Sequence, residues 1–365
     1  MNNWANPQNF VCTLDELKEF VSLNPEEENS LKKVISIHPM KIPRYYLSLI
    51  NKEDLDDPIK KMIVPCVDEL NVSGDYDTSG EEENTKMEGL QYKYPQTAVI
   101  LLTNQCAAYC RFCFRKRLVG LSTKEILERL EEAVDYIRKH KEIKNVLITG
   151  GDAFVISTEI ISRLLEKLSE ISHLNFIRFG TRIPVTYPDR ILDDENLLDV
   201  LKKYLQKKRI YVMTHFNHLN EITEKSVEAV NKLTNAGIVV NNQTVLLRGV
   251  NDDPDVLVKL MNGLTKIGVN PYYVFQCRPV SRVKHHFQVP LVRGYKIIEE
   301  TKNQLSGLAK RFRYVMSHKT GKIEILGILD DEIYLKYHQA KNPENAGKFF
   351  KKKIKEDAGW LDDLE

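Results

Sequence analysis

Residues 98–113 read Ala98-Val-Ile-Leu-Leu-Thr103-Asn-Gln-Cys106-Ala-Ala-Tyr-Cys110-Arg-Phe-Cys113, and two features of this stretch decide how the rest is read. Its first half, Ala98–Thr103, is a continuous apolar run, the pattern of a strand covered on both faces in a parallel sheet. Its second half places three thiols within eight residues, in C-x3-C-x2-C spacing. Thiols this close are poorly placed to pair across a fold, and a chain of 365 residues does not need disulfide staples. Clustered thiols directly after a buried strand are therefore read as metal ligands.

Downstream the strand pattern recurs at Val146–Thr149, Phe176–Thr181, Ile210–Thr214, Ile238–Leu247 and Tyr272–Cys277. Helical spacing fills the intervals: Thr123–His140, with Ser122 and Glu125 as a capping box, then Ser157–Ile171, Asp194–Gln206, Glu224–Asn235 and Pro254–Lys266. Six strands alternating with helices argue a parallel sheet wound by right-handed crossovers. Six units are fewer than the eight of a closed barrel, so a partial barrel and an open doubly wound sheet both fit. Past Leu308 the period shortens. Arg313–Ser317, Lys322–Leu326 and Glu332–Tyr337 read as short strands joined at Thr320-Gly321 and Asp330-Asp331. The basic tail from Lys348 reads as a solvated terminal helix.

Upstream, Leu14–Leu23, Pro25–His38 and Asp57–Cys66 have helical spacing. Ser73–Lys86 is Gly-, Ser- and acid-rich and reads as an exposed loop at a boundary. The organisation expected is a helical extension over 1–90, a barrel over 91–308, and C-terminal strands with the tail over 309–365.

Composition narrows the class. Hydrophobic residues make up 42%, and 53 Lys and Arg against 51 Asp and Glu leave a net charge of +2. Disorder needs fewer apolar residues and more net charge, and a global basic excess for nucleic acid is absent. No apolar run approaches the ~18 residues of a membrane span. The polar start, Met1–Cys12, lacks a signal core, so a cytoplasmic location is expected.

Three thiolates can hold three corners of a [4Fe–4S] cubane and leave the fourth iron to an outside ligand, whereas electron-transfer clusters use four cysteines. A zinc site of three Cys and one His competes, but zinc ligands favour CxxC pairs and no His lies nearby in sequence. At this point the chain resembles the radical S-adenosylmethionine (radical SAM) superfamily, and within it the lysine 2,3-aminomutase family. The resemblance rests on Cys110-Arg-Phe-Cys-Phe-Arg-Lys-Arg117, Gly150-Gly-Asp-Ala-Phe154, Arg178-Phe-Gly-Thr-Arg-Ile-Pro184, Thr214-His-Phe-Asn-His218, Asn242–Asp252, Tyr272–Cys277 and the upstream Pro43–Ile50. It implies a partial (βα)6 radical SAM barrel with a helical N-terminal extension and a small C-terminal β region. It also implies a [4Fe–4S] cluster on Cys106, Cys110 and Cys113, and S-adenosyl-L-methionine (SAM) chelating the open iron. Reductive cleavage of SAM would then yield a 5′-deoxyadenosyl radical that abstracts hydrogen from a small amino-acid-like substrate.

The same resemblance assigns roles. Gly150, Gly151 and Asp152 would approach SAM, with Asp152 accepting from its amino group. Arg182 would pair with its carboxylate, and His215 and Gln243 resemble further SAM contacts. Arg115 would hold the substrate carboxylate, as an arginine does in the aminomutases. Arg278 stands where lysine-specific members carry an aspartate, a replacement that inverts the preferred charge and argues against L-lysine as substrate.

Other departures concern pyridoxal phosphate (PLP), which family aminomutases use to carry the migrating nitrogen. The glycine-rich segment bearing its lysine is missing between Ser306 and Tyr314. Lys310, Lys319 and Lys322 are the nearest lysines and read as surface residues. Thr97 replaces a phosphate-binding arginine, with Lys93 at the second basic position. Weak or absent PLP binding is therefore expected. A flavodoxin or ferredoxin reductant is implied as partner, and a homo-oligomer is compatible; neither a membrane nor a nucleic acid is expected. The rival from another class is a non-catalytic iron–sulfur or RNA-associated module that uses the basic tail. It is weakened by the small net charge and by few stacking aromatics.

Overall fold

The computed structural model describes residues 5–365. A short pair, β1 (Phe10–Val11) with β2 (Ile42–Pro43), lies in the N-terminal part. Within the described residues, twelve more strands form one sheet in chain order: β3 (Thr85–Met87), β4 (Leu90–Tyr94), β5 (Thr97–Thr103), β6 (Asn145–Gly150), β7 (Phe176–Gly180), β8 (Arg209–Thr214), β9 (Val239–Leu246), β10 (Asn270–Gln276), β11 (Arg313–His318), β12 (Gly321–Leu329), β13 (Glu332–Ala340) and β14 (Phe349–Lys353). A doubly wound sheet needs a point where strand order reverses. Here every neighbour in space is a neighbour in sequence, so the sheet winds one way and the barrel reading holds. All six expected barrel strands are present and parallel, and β11 adds a seventh parallel strand that joins them to the antiparallel β12–β14. The sheet thus runs unbroken past residues 90 and 308, where divisions were expected.

Helices Leu130–Lys139, Thr158–Ser169, Glu195–Leu205, Glu224–Asn235, Pro254–Lys266 and Leu291–Asn303 make the crossovers. Each buries one stripe. In Thr158–Ser169 it is Ile161, Leu164, Leu165 and Leu168, spaced i, i+3, i+4 and i+7. Ser157, Asp194 and Asp253 cap their helices with side-chain oxygens, each cap worth about 1 kcal/mol. Strand alternation sorts the rest. Ile148, Ile177, Phe179, Val212 and Val240 pack in the buried apolar layer. Leu147, Thr149, Arg178, Met213, Gln243 and Phe275 point the other way and line a cavity of about 340 Å³ in the barrel.

Several local expectations are corrected. The first crossover is helical only from Leu130, because Leu127 N–H donates to Leu101 C=O at 2.8 Å and holds the preceding stretch extended beside β5. Ser122 and Glu125 form no capping box there; the Glu125 carboxylate pairs with Arg117 instead. Leu14–Leu23 is helical only over Leu14–Leu17, and Asp57–Cys66 only over Pro58–Ile63. Within the expected exposed loop at 73–86, Ser79, Glu81 and Asn84 are buried, and residues 81–84 form a helical turn. The basic tail is not a helix. Residues 349–353 form strand β14, with Lys351, Lys353 and Lys355 paired to Glu332, Asp331 and Glu365, and the chain then buries Trp360, Leu361 and Leu364. Among the described residues, no helix is long and apolar enough to cross a membrane.

Candidate active site

The cysteine loop leaves the C-terminal end of β5 and is fastened from several sides. Arg111, almost wholly buried, donates from Nη2 to Glu69 Oε2 at 2.6 Å and from Nη1 to the Pro39 carbonyl at 3.1 Å, and Lys116 donates to the same Glu69 oxygen at 2.6 Å. Burial alone would raise the Glu69 pKa, but the two cations overcome it and bring the carboxyl down to about 2. The basic run at 115–117 is thus matched by acids of the N-terminal part, Glu69 for Lys116 and Glu81 for Arg115 and Arg117.

The loop then closes against the end of β6. Gly150 has φ +121°, and a Cβ there would lie 2.3 Å from the Thr103 carbonyl oxygen; one on Gly151 would lie 2.1 Å from that of Gln105. The two glycines are required by this backbone approach, the reading of a tight strand–helix turn, although both also line the cavity. Asp152 N–H donates to Gln105 C=O at 2.8 Å. Its buried carboxylate accepts from Thr181 Oγ1 at 2.6 Å, Phe154 N–H at 2.9 Å and Arg182 N–H at 2.6 Å. Burial raises the Asp152 pKa against these bonds.

All eleven residues expected at the site line one cavity: Cys106, Cys110, Cys113, Arg115, Gly150, Gly151, Asp152, Arg182, His215, Gln243 and Arg278. Burial pushes Cys113 up to about 11 and Cys106 further, so any metal must displace protons from them. Among the described residues, no three His, Cys, Asp or Glu side chains converge on a single-ion site; three corners of a cubane need no such convergence, since each thiolate takes its own iron. Arg182 is not a surface residue. It donates from Nη1 to Cys110 Sγ at 2.7 Å, from Nε to the His215 carbonyl at 3.0 Å, and from Nη2 to Glu221 at 2.5 Å and Tyr46 at 3.0 Å. Of its five N–H groups, one Nη1 hydrogen remains for a ligand. Burial opposes its charge, but Cys110, Tyr46 and Glu221 hold its pKa above the ordinary value. His215 is pulled down to about 4 by burial and by Arg182, so it is neutral at pH 7.

The far wall was only partly anticipated. Arg278 is enclosed, with its guanidinium 4.1 Å from the Phe114 ring centroid and Nη1 without a hydrogen-bond partner among the described residues. Burial lowers it to about 10, partly offset by Glu81, and it stays charged at neutral pH. Lys322 is not a surface lysine. It faces the cavity with its amine 4.2 Å from the Tyr273 ring centroid and 5.5 Å from that of Phe275, and it makes no hydrogen bond among the described residues. Burial and nearby cations, Arg178 first, bring it to about 7. Lys310 and Lys319 do lie on the surface. Lys93, on β4, spans the open seam of the barrel and donates to the His318 carbonyl at 2.5 Å and the Ser79 carbonyl at 3.2 Å. The cavity therefore carries six basic side chains, Lys93, Arg115, Arg178, Arg182, Arg278 and Lys322, against two carboxylates, Glu81 and Asp152, among the described residues.

Residues 100–261 match the radical SAM superfamily profile. A candidate L-lysine 2,3-aminomutase of Aquifex aeolicus (strain VF5) is 42% identical over 95% of this chain and 93% of its own. This chain belongs to the lysine 2,3-aminomutase family of radical SAM enzymes. Within that family it is 40% identical to the L-lysine 2,3-aminomutase of Clostridium subterminale, over 84% of this chain and 73% of that one. It is also 40% identical to the glutamate 2,3-aminomutase of Clostridioides difficile (strain 630), over 82% and 70%. Among solved structures, a radical SAM methyltransferase from Sphaerobacter thermophilus aligns with TM-score 0.38 and 16% identity, over 62% of this chain and 68% of that one. The cavity contains Glu81, Lys93 and Lys322, and Glu221 stands behind Arg182, in roles that local pattern did not signal. Glu81 is one of three consecutive glutamates, and nothing in their spacing marks the one that turns inward.

Proposed function

We propose that the protein is a radical SAM 2,3-aminomutase whose substrate is an amino acid with an anionic side-chain group. One observation carries this reading: a single cavity joins the three cysteines to Arg115, Lys322 and Arg278, whose buried Nη1 has no partner among the described residues. The donor sets fit the groups the family implies. Cys106, Cys110 and Cys113 would hold a [4Fe–4S] cluster, with SAM beside Asp152, Arg182, His215 and Gln243; that pair supplies one-electron reduction and hydrogen abstraction when bound. Lys322 would hold PLP, with Lys93 and Arg178 as cations for its phosphate; PLP supplies an aldehyde that takes up the amino group, and an electron-accepting ring.

The chain's own residues then bind, orient and exclude water. Arg115 presents donors to the substrate carboxylate, and its Nη2 has no partner among the described residues. Arg278 receives the distal anion and disfavours a distal ammonium at short range in a low-dielectric site. Burial and the neighbouring cations bring Lys322 down to about 7, toward the unprotonated form that an attacking amine requires. The enclosing barrel keeps water from a reactive carbon radical.

The test is anaerobic reconstitution with iron, sulfide, PLP, reductant and SAM, followed by mass spectrometry for 5′-deoxyadenosine and β-amino acids. L-Glutamate should stimulate SAM cleavage and be isomerised to 3-aminoglutarate, and L-lysine should not. Equal stimulation by L-lysine removes the charge argument. A second reading is favoured by the shortened segment before Tyr314 and by Thr97: PLP-free radical chemistry on a carboxylate substrate. It predicts SAM cleavage with no amino shift and no imine absorbance.

A further inference from the structure

Arg115 is not loose in the cavity. Its Nε donates to Glu81 Oε1 at 2.9 Å, and its Nη1 lies 3.3 Å from the Gly150 carbonyl and 3.4 Å from Thr149 Oγ1. The other Glu81 oxygen accepts from Arg117 Nη2 at 2.7 Å. Glu81 is itself fixed. Asp77 accepts from the Glu81 and Glu82 N–H groups at 2.8 and 3.1 Å, and Thr85 Oγ1 donates to the Glu81 carbonyl at 2.8 Å. Glu82 and Glu83 are exposed, whereas Glu81 is buried and lines the cavity.

A guanidinium offers a carboxylate two bidentate edges, one along the side that includes Nε and one at the end formed by the two terminal nitrogens. Glu81 Oε1 takes Nε on the side edge. We propose that Glu81 is the positioning residue of Arg115: by holding Nε, and being held by Arg117, it turns the end edge toward the cavity, where the substrate carboxylate binds. The inference rests on the aminomutase reading for the identity of the ligand. It explains why a cavity so rich in cations spends one of its two carboxylates on a binding arginine. Glu81 also faces Arg278, so its charge keeps three neighbouring guanidiniums compatible in a buried space.

The test compares Glu81→Gln and Glu81→Asp with the parent in the reconstituted holoenzyme, using the amino acid that best stimulates the parent. Glutamine keeps the shape but replaces one acceptor with a donor facing Arg117. KM for the amino acid should rise on the order of tenfold while kcat changes less than about threefold, as expected when a binding contact loses its geometry. Aspartate restores the charge and should recover part of the loss. If Glu81→Gln lowers the melting temperature but leaves KM within about twofold, Glu81 is only a brace and the inference is overturned. Should the Glu81 variants fail to fold, Arg117→Gln cuts the same linkage from outside the cavity and should raise KM in the same sense; an unchanged KM there also overturns it. No response of the parent to any amino acid overturns the aminomutase reading, and this inference with it.

Discussion

The two ends of the cavity are built in opposite ways. The cysteine end is local: one loop of eight residues carries Cys106, Cys110 and Cys113, and the Arg111–Glu69–Lys116 network and two close-packed glycines brace it. The far wall is assembled from distant pieces, with Glu81, Lys93, Arg178, Arg278 and Lys322 arriving from separate parts of the chain. The difference separates generic chemistry from selection. Damage to the cysteine end should stop everything, and damage to the far wall should change what is bound and which atoms move.

The strongest test of that contrast is Cys110→Ala. The parent, purified anaerobically, should hold about four irons per chain, completing a cubane with three thiolates and one outside ligand. The variant should lose the brown colour and all SAM cleavage, with any substrate. Stoichiometric zinc without iron after reconstitution would remove the cluster reading and leave the two ends without their division of labour.

Next in size is Lys322. Borohydride reduction of the PLP-treated protein should place a phosphopyridoxyl group on Lys322, found by peptide mapping. Lys322→Met should carry no label there and lose the amino shift by on the order of 10³-fold or more, as when a covalent nucleophile is removed. A label on Lys310 or Lys319, or no label at all, would return the far wall to simple anion binding.

The cysteine end was legible because its information is contiguous. Spacing, position after a buried strand and the missing fourth cysteine all sit within sixteen residues. The barrel strands were legible for a similar reason, since each is a short stretch rich in apolar residues. The far wall was not. Lys322 follows a glycine in a turn-rich stretch, where a lysine ordinarily points to solvent. Only the parallel pairing of β11 on β10, with β12 folded back on β11, brings it over Tyr273 and Phe275. Glu81 hid in an acidic run that reads as solvated, and it is buried because Arg115 and Arg117 meet it there. Ion pairs between segments decide both places, and no local period encodes them. Arg278 was reachable only through the charge inversion at a position the family resemblance supplied.

Arg278→Asp sharpens the comparison at intermediate size. A charge-assisted hydrogen bond is worth about 1.5–3 kcal/mol, so its loss should weaken the anionic amino acid about ten- to a hundredfold. SAM cleavage should remain measurable, and a cationic amino acid should gain. If both substrates fall together with the iron content, the far wall and the cysteine end are coupled and the proposed separation fails.

The smallest effect concerns stability. Lys322 has a pKa of about 7 in the fold and about 10.5 when exposed, and Lys93 is lowered to about 7 as well, chiefly by burial. Between those pH values the unfolded chain holds more protons on these lysines than the folded one does. Stability from them therefore rises as pH rises from about 7 to about 10.5, where the penalty for keeping the amines neutral disappears. Lys322→Met keeps the apolar length and removes one amine. In PLP-free protein the variant should melt a few degrees above the parent at pH 7, and the gap should close as pH approaches about 10. Urea midpoints at the two pH values measure it. A gap that is absent at pH 7, or that grows with pH, would mean that Lys322 stays solvated and charged. The far wall would then be an open rim, without the enclosed amine on which its distinction from the cysteine end depends.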